Sequence, residues 1–100
     1  SSPQQVDARL ARDLAQINSQ ISNGQAEITK QQKKMATLQA QLRKASHPQQ
    51  KNRIAKEILS CQTMIATQNT EIAKQKAEAE ALRKQSAADK QRLIELLKQQ

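Results

Sequence analysis

The sequence predicts an all-α protein in which two long helices form an antiparallel coiled-coil hairpin, reversing at Ser46-His47-Pro48. Three observations predict it. The chain of 100 residues has no Phe, Tyr or Trp, one Gly and two Pro, so it lacks both the aromatic groups that dominate globular cores and the residues that build loops. Its apolar residues are nearly all Ala, Leu and Ile, set among 18 Gln and 17 Lys and Arg, the composition of long helices with a narrow apolar seam. Those apolar residues recur with 4-3 spacing on both sides of one internal proline. A mean hydropathy of −0.87 and a formal net charge of +8 would otherwise suit a disordered chain, and the periodicity argues against that.

The first helix is expected over about residues 3–45. Ser2 can cap it, with Pro3 at the first helical position and Gln5 three residues after the cap, as in a capping box. Its seam takes a at Leu14, Ile21, Ile28, Met35 and Leu42, and d at Leu10, Ile17, Gly24, Gln31, Leu38 and Ala45. The b, c and f positions are polar or Ala. Asn23-Gly24 is a turn signal elsewhere, but the heptad runs through it in phase, which favours a tolerated weak point or local kink.

A turn is expected over about 46–48. Proline lacks the donor for the helical ladder and pushes the residue before it out of the α region. The second helix is then expected over about 49–98, with a at Ile58, Ile65, Ile72, Ala79, Ser86 and Leu93, and d at Ile54, Cys61, Gln68, Gln75, Leu82, Asp89 and Leu96. At ~1.5 Å per residue the helices are roughly 60 and 75 Å long.

Phase separates a hairpin from one kinked helix. From Leu42 to Ile58 is 16 residues, two more than two heptads, so a continuous stripe would swing by about 200° across the junction. A turn resets the phase at no cost. Folding back also stacks a on d′ at a constant residue-number sum of 96, pairing Leu42 with Ile54, Leu38 with Ile58, Met35 with Cys61, Gly24 with Ile72, Ile17 with Ala79 and Leu14 with Leu82. Half of that sum is the number of the proline. Gln31, Gln68 and Gln75 meet apolar partners, Ile65, Ile28 and Ile21, and weaken the seam. They either fix register or mark where water or a third helix reaches it.

At roughly 1.5–3 kcal/mol per fully buried aliphatic side chain, a two-helix seam with wet flanks is marginal. Support from dimerisation into a four-helix assembly, or from a longer protein of which residues 1–100 are one hairpin segment, is expected. At the open end the pairing sets Asp7 against Asp89 and leaves Leu93, Ile94, Leu96 and Leu97 uncovered. Such a cluster marks a partner or dimer contact.

Charge is concentrated at the bend. Lys30, Lys33, Lys34, Arg43, Lys44, Lys51, Arg53 and Lys56 lie in a stretch, 30–56, without Asp or Glu, while nine basic and nine acidic residues balance elsewhere. Solvation alone explains charge on a coiled-coil exterior. The absence of any acid favours an acidic partner as well: a protein groove, nucleic acid or anionic lipid. Base reading lacks aromatic residues for stacking, and membrane insertion lacks a bulky apolar face at the tip.

No residue qualifies as catalytic, cofactor-binding or metal-ligating. His47 stands alone in the bend, Cys61 falls at a seam position as a small buried hydrophobe, and Glu78 and Glu80 lie on different helix faces. No stretch is long and apolar enough to span a membrane, so a soluble chain is expected, cytoplasmic or bacterial periplasmic. A start at Ser1 suits a mature or excised segment. In outline the arrangement is similar to the coiled-coil hairpins of bacterial cell-envelope factors, secretion-stalk proteins and membrane-fusion adaptors, a likeness carried by heptads over the full length and by no diagnostic motif. The expected function is a non-enzymatic scaffold or spacer mediating protein association, self-association included, with a basic tip. The alternative is electrostatic binding of nucleic acid or an anionic membrane surface through residues 30–56.

Overall fold

The computed structural model describes residues 1–100, which form two α-helices, α1 (Pro3–Lys44) and α2 (Pro48–Lys98), in an antiparallel hairpin. The capping box expected at the start of α1 is formed. The Gln5 N–H donates to Ser2 Oγ at 3.1 Å, the Ser2 N–H donates to Gln5 Oε1 at 2.8 Å, and the ladder opens with the Val6 N–H on the Ser2 carbonyl at 3.0 Å. Two donors that a helix start would leave orphaned are thereby satisfied.

The reversal occupies Ala45–His47, one residue earlier than the sequence places it, because Pro48 belongs to α2 and not to the turn. Its missing N–H is no loss at the first helical position. The Lys51 N–H donates to the His47 carbonyl at 3.0 Å, which makes His47 the cap of α2. At the other side the Ala45 N–H is shared between the Gln41 and Leu42 carbonyls at 3.0 and 3.3 Å. No residue of the turn has a positive φ, so α1 ends without the left-handed residue that closes many helices; Pro48 has no N–H to donate to the Lys44 carbonyl four residues back, and its ring would clash there in a continued helix.

The helices pack as two compact units, one made of Ser22–Ile72 and the other of Ser1–Ile21 with Ala73–Gln100. Within the tip unit, Leu38, Ile54 and Cys61 are buried together, with Met35, Leu42, Ala45 and Ile58 packed against them. This cluster gathers both partners of the Leu42/Ile54, Leu38/Ile58 and Met35/Cys61 layers. Farther from the turn, α1 stays helical through Gly24. A Cβ at Gly24 would stand 3.1 Å from Ile72 Cγ1 and 3.2 Å from both Ile72 Cδ1 and Gln68 Oε1. Glycine here costs helix propensity of about 1 kcal/mol relative to Ala, and the close approach that buries Ile72 offsets it.

In the open-end unit Ile17 and Ala79 are buried, with Leu10, Leu14, Ile21 and Leu82 half-buried around them. The arms are also joined by an ion pair between Lys90 Nζ and Asp7 Oδ2 at 2.8 Å. Opposition of Asp7 and Asp89 is thus relieved in a way that seam positions alone do not reveal. Lys90, one residue outside the seam, reaches Asp7, and Asp89 accepts from Arg92 and from the Gln85 side-chain amide. With both partners of the Lys90–Asp7 pair substantially exposed, its worth is at most about 1 kcal/mol.

Candidate functional site

All eight basic residues between 30 and 56 are solvent-exposed. None is ion-paired, since the salt bridges of the chain are Arg83–Glu80, Lys90–Asp7 and Arg92–Asp89. Part of their placement works against the hairpin's own stability. Lys30 lies three and four residues from Lys33 and Lys34, spacings at which like charges on a helix repel by about 0.2–0.5 kcal/mol per pair. Arg43 and Lys44 sit in the last turn of α1, where the helix dipole favours cations. Lys51 closes the first turn of α2, which contains no acid, and there the dipole disfavours a positive charge.

The side chain of His47 participates in the tip in a way that sequence reasoning missed. Its Nδ1 accepts the Gln49 N–H at 3.3 Å, so an exposed bend residue also caps α2. Ser2-Pro3-Gln4-Gln5 and His47-Pro48-Gln49-Gln50 are two versions of one start signal, which is the sequence feature that could have found it.

The fourteen apolar residues assigned to the seam, Leu10, Leu14, Ile17, Ile21, Ile28, Met35, Leu38, Leu42, Ile54, Ile58, Cys61, Ile65, Ile72 and Leu82, are all buried or half-buried. Cys61 is 2% exposed and unpaired. Gln31 is buried as fully as its aliphatic neighbours. Its amide donates to Glu27 Oε1 at 2.9 Å, while its own Oε1, like that of Gln75, is buried without a donor.

At the end of α2, Leu93 and Ile94 are half-buried, whereas Leu96 and Leu97 are 57% and 53% exposed. Two further exposed apolar residues, Leu59 and Met64, lie off the seam of α2 and were not singled out in the sequence. They stand on a stretch, 58–70, without charge. There the hydroxyls of Thr63, Thr67 and Thr70 donate back to the carbonyls of Leu59, Thr63 and Ala66.

No three His, Cys, Asp or Glu side chains gather as a metal-binding group, and no helix is long and apolar enough to cross a membrane. No family model, curated protein or solved structure matches the chain. The functional reading therefore rests on the surfaces just described.

Proposed function

We propose that the chain is a non-catalytic interaction module, a helical hairpin that presents its basic tip to an acidic protein surface. The observation that carries this reading is the set of eight exposed, unpaired cations around a turn with no acid among them. Placing Lys30, Lys33 and Lys34 together and Lys51 in a first helical turn costs stability through like-charge repulsion and an unfavourable dipole, and an anionic partner removes that cost. The lack of any aromatic side chain sets base stacking aside. It leaves phosphate backbone as the second reading, through the same cations.

The experiment is a titration of the hairpin with polyglutamate and, separately, with duplex DNA across a range of salt. Polyglutamate binding should weaken steadily with salt. It should fall by roughly tenfold or more when Lys33, Lys34, Arg43 and Lys44 are changed together to Gln, at ~0.2–1 kcal/mol per exposed pair, with helical content preserved. Tighter binding to DNA than to polyglutamate favours the phosphate reading, and no binding to either at low salt rejects the tip as an interaction site.

A further inference from the structure

The open end of the hairpin carries more apolar surface than a two-helix seam uses. The capping box fixes the start of α1 at Pro3, and residue 93 is level with residue 3 under the seam pairing, while α2 continues to Lys98. In that last turn and a half, apolar side chains occupy a, b, d and e as Leu93, Ile94, Leu96 and Leu97. A two-stranded coiled coil needs only a and d, and a wider stripe belongs to a helix facing more than one neighbour. The same open-end unit holds an open groove of about 420 Å³, with Val6, Leu10 and Leu82 as its apolar lining and Asp89, one helical turn before Leu93, also lining it.

We propose that the occupant of this groove is the same segment of a second copy of the chain, each copy seating Leu93–Leu97 in the other's groove. Charge complementarity points to a second copy. The groove is rimmed by Arg9 and Arg12, and neither has an acidic partner within the chain. The segment carries Glu95, which accepts only from the Gln91 amide at 2.9 Å and meets no cation. Two acids also line the groove: Asp89, already paired with Arg92, and half-buried Asp13, for which Lys98, likewise unpaired, is the counterpart. Because each copy gives and receives the same segment, the contact is isologous and closes as a dimer, with four helices together where the ends overlap. It uses no residue of the basic stretch, so it stands independently of the tip reading.

Sedimentation equilibrium of the 100-residue protein over a wide concentration range is the test. The expected result is a reversible monomer–dimer equilibrium that the Lys33, Lys34, Arg43 and Lys44 to Gln variant leaves unchanged. Leu96→Lys with Leu97→Lys should weaken the dimer by roughly 100-fold or more, as loss of two buried apolar anchors does, with the helicity of the monomer retained. Glu95→Arg should weaken it roughly tenfold, and adding Arg9→Glu and Arg12→Glu to Glu95→Arg should restore it. The proposal is overturned by a single-chain mass at every concentration, by assemblies that grow beyond two chains, by a dimer indifferent to the leucine changes, or by a triple variant no tighter than Glu95→Arg alone.

Discussion

Gln31 shows how one residue can weaken a seam while helping to define it. Buried at 5% exposure with an unsatisfied Oε1, it bears the desolvation cost of a buried acceptor, about 1–3 kcal/mol. Gln31→Leu should therefore raise the midpoint of urea unfolding, by about 1–2 kcal/mol of stability, since the apolar side chain meets Ile65 in a seam already lined by aliphatics. A fall in stability would mean that the carboxylate of Glu27 depends on the Gln31 amide more than the orphaned oxygen costs. His47→Ala should lower stability by about 0.5–1 kcal/mol, through loss of the α2 cap, and His47→Asp should recover it by returning a better capping group at a helix N-terminus; thermal melts of the two variants check this. The seam position of Gln31 was legible from the heptad, but its orphaned oxygen was not, because that depends on which way an amide turns among its neighbours. The capping by His47 was missed for a related reason, since histidine is uncommon at N-caps and only the local turn geometry brings Nδ1 to the Gln49 N–H.

Among the elements, α1 and α2 carry the same kind of seam with unequal strength. The tip unit gathers Leu38, Ile54 and Cys61 into one cluster, whereas the seam of α2 in the open-end unit has buried Ala79 with half-buried Gln75 and Leu82. Amide exchange should accordingly be slowest around Leu38, Ile54 and Cys61, and faster along the seam of the open-end unit, since protection follows the density of buried apolar contacts. Leu38→Ala should cost about 2–4 kcal/mol, the range for a buried leucine, while Leu59→Ala, at a site 61% exposed, should stay within about 0.5 kcal/mol. Comparable losses at the two sites by chemical denaturation would contradict the assigned seam. Helix extents were readable to within a residue from two proline-centred start signals. The exchange of partners around Asp7 and Asp89 was not, because heptad reasoning tracks a and d and overlooks that Lys90, one position further, reaches across the arms.

For the whole molecule, the decisive feature is the reversal at Ala45–His47. Two heptads assigned separately share one pairing sum, and the same layers recur as the Leu38, Ile54 and Cys61 cluster and as Gly24 against Ile72. The sequence therefore specified topology and register well, because both follow from periodicity and one proline. It said less about association, because partner surfaces lie outside the seam and obey no repeat. The most direct test of the hairpin is a distance between spin labels at Ser19→Cys and Ala77→Cys in a Cys61→Ser background, diluted with unlabelled protein to remove signals between chains. Both sites are exposed and face outward. The hairpin predicts a separation of about 20–30 Å, from adjacent helices ~10 Å apart plus the reach of two outward labels. A separation approaching ~87 Å, the rise of one continuous helix between those positions, would contradict it.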